Sequence, residues 1–169
     1  EAVIGGKTHV VGEGGCLDLS GERLGPAEVA EVACFLATPA GATVTSMNCL
    51  NNPLGEGVNE LIRVFEETPR LRTLCGLEEG VQQIDWSKSG KGPADVALLS
   101  AELKAGRAGA ALNSIALDGC AITGTTFGTG YQEYQGGYYE KIEKLDAVLS
   151  GFNSLCLALK SSQIITLRL

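Results

Sequence analysis

The chain has 169 residues, of which 44% are hydrophobic, and a formal net charge of −7. This length and apolar content predict one folded domain with its own core rather than a disordered chain. The acidic balance argues against nucleic acids and anionic membranes as partners, because both attract basic surfaces. No apolar run in the sequence approaches the length of a membrane span.

Residues 1–14 are interpreted as an irregular glycine-rich arm or an N-terminal cap. The stretch IGGKTH at 4–9 is similar to the end of a phosphate-binding loop, but Glu1 stands where that motif needs its first glycine. We therefore interpret it as a glycine-rich end of the chain. The sequence has no initiator methionine and no signal-like start, which predicts a processed chain or a piece of a longer one.

Five short stretches place apolar residues at alternating positions, which predicts strands with one buried side. Four of them open the segments GCLDLSGERLG, TSMNCLNNPLG, QQIDWSKSGKG and NSIALDGCAIT, which begin at residues 15, 45, 82 and 113. The fifth lies in the final stretch, QIITLRL. Since a terminal strand exposes edge backbone, we expect further chain or a partner to cover it.

Helical periodicity fills the segments between these strands. Apolar residues spaced by three and four positions give each predicted helix one buried face. These sets are Val29, Val32, Ala33 and Leu36; Val58, Leu61, Ile62 and Phe65; Val96, Leu99 and Leu103; and Val148, Phe152, Leu155 and Leu159. Pro26 and Pro93 each lie in the first turn of a helix, where the missing N–H costs nothing.

The recurring pattern LxxLxLxx(N/C)xL resembles the leucine-rich repeat. Asn52 and Cys120 match its ninth position, where the side chain bonds loop backbone, whereas Glu22 and Ser89 depart from it. A repeat of about 30 residues, as from Leu17 to Met47, resembles the ribonuclease-inhibitor-like subclass. The interruption LCGLEEG is similar to arrays of unicellular eukaryotes.

This resemblance implies an α/β leucine-rich-repeat solenoid over residues 15–169. The expected domain contains about four repeats plus a final strand, with a curved parallel sheet on the concave side and helices on the convex side. Polar strand residues would then form a mostly acidic ladder on the concave face, where such proteins often hold another protein. The candidate binding residues are Asp18, Asn48, Asp85 and Asp118; the alternative is a solvated sheet face.

All four tyrosines lie in one insertion, which we interpret as a Tyr/Gly-rich loop at 125–144. Tyrosine offers a large contact area with a polar tip, so an exposed cluster suits an interface. We predict that the segment becomes ordered against a partner through Tyr131, Tyr134, Tyr138 and Tyr139. The alternatives are a flexible, tolerated insertion and a loop folded back on its own domain.

The sequence offers no catalytic, cofactor-binding or metal-binding constellation. The single histidine, His9, has no fixed nucleophilic companion, and the six cysteines are too far apart for zinc motifs. Reduced thiols buried among apolar residues are favoured over disulfides, which favours a reducing intracellular compartment, either the cytoplasm or an organelle reached with a transit peptide. Asp18, Asp85 and Asp118 come from irregularly spaced repeats, so no metal site is predicted.

The predicted function is a non-catalytic scaffold for protein–protein interaction. It would serve as an accessory or structural subunit of a larger assembly, in the cytoplasm or in an organelle, and its partners would be other protein subunits. The alternative is a regulatory inhibitor or sensor that binds a basic partner on its acidic concave face. A salt-sensitive, reversible complex would indicate the inhibitor, whereas a chain that is unstable alone would indicate the subunit.

Overall fold

The computed structural model of the protein describes residues 1–134 and 137–169. Helices and strands alternate through this described part. The helices are α1 (Pro26–Leu36), α2 (Gly57–Glu67), α3 (Pro93–Ala105) and α4 (Ser150–Leu159). The strands are β1 (Ala2–Ile4), β2 (Lys7–His9), β3 (Cys16–Asp18), β4 (Ser46–Asn48), β5 (Gln83–Asp85), β6 (Ser114–Ala116), β7 (Thr126–Tyr134), β8 (Gly137–Lys144) and β9 (Thr166–Arg168).

The five strands and four helices that the sequence predicts are confirmed. Apolar residues at the centres of four predicted strands are buried, and these are Leu17, Met47, Ile84 and Ile115. Helices α1 and α3 begin alike, with proline after a glycine and an acidic side chain that accepts a hydrogen bond from the glycine N–H. Glu28 bonds Gly25 at 2.8 Å, and Asp95 bonds Gly92 at 2.9 Å. Each carboxylate thus satisfies one of the amides left free at a helix start.

The prediction of one curved parallel sheet, and with it the solenoid fold class, is wrong. The described strands form four separate small sheets. Two are antiparallel pairs, β1–β2 and β7–β8, and only β3–β4 and β5–β6–β9 are parallel. The protein is therefore a small α/β fold whose parallel strands are divided into a pair and a triple.

The segment 72–76 is the physical reason for this division. It runs beside β4, where Met47 and Cys49 donate backbone hydrogen bonds to its carbonyl oxygens at 3.0 and 2.8 Å. The spacing of these bonds is irregular, and the contact includes an isolated antiparallel bridge between Asn48 and Cys75. Since this segment occupies the edge of β4, strand β5 pairs with β6 instead.

Asn52 and Cys120 have the role predicted for the ninth repeat position. The buried Asn52 amide donates to the carbonyl oxygens of Leu19 and Cys49 at 2.8 and 2.9 Å, and its Oδ1 accepts from the Leu24 N–H at 3.0 Å. Cys120 donates its S–H to the Trp86 carbonyl oxygen at 3.0 Å. Each side chain thus joins its own loop to the preceding strand–loop unit.

The predicted glycine-rich arm contains an antiparallel hairpin. Ala2 and Ile4 of β1 are buried in the core, and Gly5 donates its N–H to the Glu31 side chain on α1 at 2.6 Å. Gly5 and Gly6 have φ of 56° and 72°, the left-handed conformation that a tight turn between β1 and β2 requires. Because the lysine of IGGKTH lies in a strand and no helix follows it, this stretch lacks the geometry of a phosphate-binding loop.

Two long strands occupy the segment expected to be a loop. Strands β7 and β8 pair from Thr126 opposite Lys144 to Tyr134 opposite Gly137, with shifts of register near Phe127. Residues 135 and 136, which the predicted insertion includes, lie outside the described residues. We call the β7–β8 pair the tyrosine hairpin.

None of the helices in the described part of the chain combines the length and the apolar character needed to cross a bilayer.

Candidate functional site

The predicted binding face begins on the β3–β4 pair. The register places Asp18 opposite Asn48. Each side chain accepts a hydrogen bond from the backbone two residues later, Asp18 from Ser20 at 3.0 Å and Asn48 from Leu50 at 3.3 Å. These local bonds turn the chain out of the strand, so both side chains serve the fold besides lying on the sheet face.

A second polar group lies on the β5–β6–β9 sheet. The Ser87 hydroxyl donates to Asp118 at 3.1 Å, and Arg168 forms an ion pair with Asp118 at 3.2 Å. The neighbouring Ser87 side chain and the Ser87 N–H, which donates to Asp85 at 2.9 Å, lower the pKa of Asp85, and Arg168 lowers it further. Because the positive charge of Arg168 offsets the negative charge of Asp118, this polar group is less acidic than the sequence predicted for the concave face.

The two polar groups do not form one continuous ladder. Segment 72–76 lies beside β4, and Gly76 packs so closely on Asn48 that a Cβ atom there would come within 3.0 Å of the Asn48 Cβ. Asp18 and Asn48 therefore belong to one small sheet, while Asp85 and Asp118 lie at the strand ends of another. The role of these four residues in binding stays a prediction.

The tyrosine hairpin brings the four tyrosines onto two paired strands. Tyr131 lies opposite Glu140, Tyr138 opposite Glu133, and Tyr139 opposite Gln132. The side chains of these tyrosines lie outside the described part of the structure, so their contact with a partner stays a prediction. Within that part, the two strands pair with each other and have at most marginal contact with the other helices and strands.

Exposed apolar side chains lie at the end of the tyrosine hairpin and in the segment between the hairpin and α4. Ile142, Leu145, Val148 and Leu149 are exposed by 45, 68, 46 and 42%. Single exposed apolar residues are ordinary on protein surfaces, but four within residues 142–149 form a local concentration. We call these four residues the hairpin base.

A buried carboxylate that sequence analysis missed holds segment 72–76 in place. Glu102 of α3 is 1% exposed, and its Oε1 accepts hydrogen bonds from the Thr73 hydroxyl at 2.6 Å and from the N–H groups of Leu74 and Cys75 at 2.5 and 2.6 Å. Among the described residues its Oε2 has no hydrogen-bond partner. Burial raises the pKa of Glu102, and these hydrogen bonds offset part of the increase.

The cysteines are free thiols of two kinds. Cys49 and Cys75 are buried, and burial raises the pKa of Cys49 to about 12 and that of Cys75 well above its ordinary value. Such thiols are poor nucleophiles, because the thiolate is the reactive form. Contrary to the expectation that all six are buried, Cys16, Cys34 and Cys156 are exposed.

Within residues 1–134 and 137–169, no group of three or more His, Cys, Asp or Glu side chains is arranged to hold a metal ion.

His9 is half-buried, and its Nε2 lacks a hydrogen-bond partner in the described part of the chain. The nearest charged chemistry is the Lys7–Glu22 ion pair at 2.6 Å, which lowers the pKa of Glu22 chiefly through the hydrogen bond from Lys7. This pair joins the N-terminal hairpin to the loop before α1.

Comparisons of the chain with family models, with curated proteins and with solved structures found no match. The resemblance to leucine-rich repeat proteins therefore stays a prediction from the sequence pattern.

Proposed function

We propose that this chain is a non-catalytic scaffold that binds another protein through its tyrosine hairpin, as an accessory subunit of a larger assembly. The observation that carries the proposal is the hairpin itself, whose strands pair with each other and pack only marginally on the rest of the described protein. A two-stranded hairpin is marginally stable in water on its own. A surface that covers it would stabilise it, which is the behaviour of a docking element.

Residue chemistry at the hairpin supports a protein as the partner. Tyrosine is enriched at the centres of protein interfaces, since it buries a large area and keeps a polar tip. The exposed hairpin base adds apolar surface where the tyrosine hairpin meets α4.

One observation weighs against the alternative function of an inhibitor. An inhibitor that relies on an acidic sheet face is less well supported, because Arg168 pairs with Asp118 and segment 72–76 divides that face.

A shortened hairpin tests the proposal directly. Thr126 and Lys144 are paired neighbours, so replacing residues 127–143 by Asn-Gly closes the two strands with a two-residue turn. We expect this variant to unfold with nearly the wild-type free energy, within about 1 kcal/mol, because the hairpin contributes little to the core. It would lose the proteins that co-purify with the wild-type chain from its source.

A finer variant changes only the four tyrosines to serine, at Tyr131, Tyr134, Tyr138 and Tyr139. The matched control changes two exposed apolar residues at the other end of the protein, Val3→Ser and Val10→Ser, which are 66 and 69% exposed. We expect the tyrosine variant to lose partners and the control to retain them, as measured by quantitative mass spectrometry of purified complexes. Equal recovery of partners by all variants would refute the proposal.

A further inference from the structure

Two cavities lie along α3 on the helical side of the protein. The first, of about 380 Å³, lies between Ile62 and Glu66 of α2, Ala97 and Ala101 of α3, and Leu157 of α4. Ala97 lines both cavities, so they are neighbours along α3. We call their combined extent the helix groove.

The second cavity, of about 920 Å³, lies where the three helices begin. Its lining includes Leu54 and Val58 before and within α2, Pro93 at the start of α3, and Val148 before α4. Val148 is also a residue of the hairpin base, so the helix groove opens directly beside the surface assigned to the partner.

The divided sheet explains why the groove exists. Helix α1 packs on α2 over the paired strands β3 and β4, and α4 packs extensively on α3 over the β5–β6–β9 sheet. Helices α2 and α3 follow strands that do not pair with each other, and they have less contact. A gap therefore remains between α2 and α4, with α3 as its floor.

We propose that the helix groove binds an amphipathic helix with a basic flank, contributed by the partner protein. The inference rests on the proposed function, since it names which part of the partner would lie next to the tyrosine hairpin. The apolar face of that helix would fill the two cavities, and its basic flank would lie along α2.

The shape of the groove fits a helix better than a small ligand. The lined part of α3 runs from Pro93 to Lys104, which corresponds to about 17 Å at a rise of 1.5 Å per residue. Two apolar cavities along that length match the side chains that a docked helix presents at i, i+3, i+4 and i+7. A partner helix of about 10–14 residues would reach both.

The charges on the α2 and α4 walls of the groove determine which way the basic flank of the partner helix would point. The α2 wall keeps a net negative charge, because its four glutamates outnumber the two cations that pair with them, Arg63 on α2 and Lys104, which also lines the first cavity. The glutamates are Glu56 and Glu66, which line the cavities, and Glu60 and Glu67 on the same helix. Arg63 on α2 pairs with Glu60 and Glu67, and Lys104 pairs with Glu66. The α4 wall carries serine and apolar side chains instead, so lysine or arginine on the partner would favour the α2 side.

A display library tests the proposal even while the natural partner is unidentified. The library consists of 14-residue peptides with apolar residues fixed at helical spacing and all other positions varied, selected on the full chain. Ser154→Trp blocks the groove, because Ser154 is exposed and lines the first cavity. Asn153→Trp is the matched control, because Asn153 is exposed on the same helix but lines neither cavity.

We expect selected peptides enriched in lysine and arginine that bind the Ser154→Trp variant at least tenfold more weakly and the Asn153→Trp control within twofold. Leu157→Asp, at a wall residue that is 64% exposed, would weaken binding as well without disturbing the core. A selection that yields no binders, acidic binders, or binders insensitive to Ser154→Trp would overturn the proposal. A wild-type dimer that Ser154→Trp converts to a monomer would also overturn it, because the groove would then hold a second copy.

The shortened hairpin separates this inference from the proposed function. Peptides that bind the groove would bind the shortened-hairpin chain with the same affinity as the wild-type chain. If natural partners are lost on shortening the hairpin but retained by Ser154→Trp, the proposed function stands and the groove inference fails. If natural partners tolerate the shortened hairpin, the proposed function fails, whatever the peptides show.

Discussion

Different contacts hold neighbouring helices together at two boundaries, the first between α3 and α4 and the second between α2 and α3. At the first, the strands beneath are paired and the helices approach so closely that a Cβ atom on Gly151 would clash with the Pro93 carbonyl oxygen. At the second, no strand ladder joins the two sides within the described residues. The difference shows that helix packing in this fold follows strand pairing.

Polar side chains from the α3 side replace the missing ladder at the second boundary. Asp95 accepts a hydrogen bond from the Asn51 N–H at 2.7 Å, and Lys91 donates to the Asn51 side chain at 2.8 Å. Arg107 donates to the carbonyl oxygens of Phe65 and Leu71 at 2.8 and 2.7 Å, and Glu102 holds segment 72–76. A few hydrogen bonds, buried at Glu102 and partly buried elsewhere, thus hold the α2 and α3 sides together.

Glu102→Ala breaks the second boundary most severely. The substitution leaves the Thr73 hydroxyl and the Leu74 N–H without their acceptor in a buried site, and the Cys75 N–H keeps only its 3.1 Å bond to the Thr73 hydroxyl. We therefore expect a loss of about 3 kcal/mol or more in the free energy of unfolding. Urea unfolding measures this loss. Glu67→Ala, at an exposed ion pair, is the control and would change stability by less than about 1 kcal/mol. Equal effects of the two substitutions would contradict our account of the division.

Asp95→Ala and Glu28→Ala compare the α2–α3 boundary with an equivalent helix start that lies outside it, at α1. Both remove the carboxylate that caps a helix, but only Asp95, which is 5% exposed, also bonds across to Asn51. We expect a loss of about 2 kcal/mol for Asp95→Ala and about 1 kcal/mol for Glu28→Ala. Thermal unfolding of the two variants provides the measurement, and a larger loss at Glu28 would show that the cross-boundary bond contributes nothing.

Gly151→Ala tests the close approach at the α3–α4 boundary. The added methyl group would clash with the Pro93 backbone, so we expect a loss of about 1–3 kcal/mol even though alanine favours the helix. Gly12→Ala is the control, because Gly12 has a φ of −75° and a Cβ atom there comes no closer than 3.5 Å to the Cys16 carbonyl oxygen, so its effect would stay within about 0.5 kcal/mol. A neutral Gly151→Ala in chemical unfolding would mean that the two helices separate readily.

The smallest effect that we expect at the α2–α3 boundary is a dependence of the free energy of unfolding on pH through Glu102. Because burial raises the pKa of Glu102 in the folded protein, its protonated form stabilises the fold below the unfolded pKa of about 4.3, and this contribution is lost as the pH rises through the folded pKa. Glu102→Gln cannot titrate. We therefore expect the stability of the wild type, relative to Glu102→Gln, to decrease from pH 4 to pH 7. A constant difference over that range would show that Glu102 titrates as an ordinary carboxyl group.

The sequence predicted the repeated strand–helix units because their signals are local. Buried Leu17, Met47, Ile84 and Ile115 follow the alternation expected of strands, and Asn52 makes the loop hydrogen bonds expected of its position. The division of the sheet was not predicted, because it depends on contacts between residues far apart in the chain. One signal was available, since Glu102 lies three and four residues after the buried Leu99 and Leu98 and thus interrupts an apolar helix face.

The tyrosine hairpin was predicted as a loop because its glycines were given more weight than its strand formers. Thr126, Phe127 and Tyr131 are residue types that favour strands, and the opposite strand carries two further tyrosines. The predicted acidic ladder overestimated the charge of the sheet face. The repeat pattern places Arg168 on the same ladder but does not predict its ion pair with Asp118, which depends on the pairing of β9 with β6.

The most direct test of the account is the recovery of partner proteins by the wild-type chain and by the chain with the shortened hairpin, measured side by side in one isotope-labelled purification. We expect the two chains to be equally folded, and at least a tenfold lower recovery of partners by the shortened chain. Equal recovery by two equally stable chains would contradict the claim that the tyrosine hairpin is the partner-binding element.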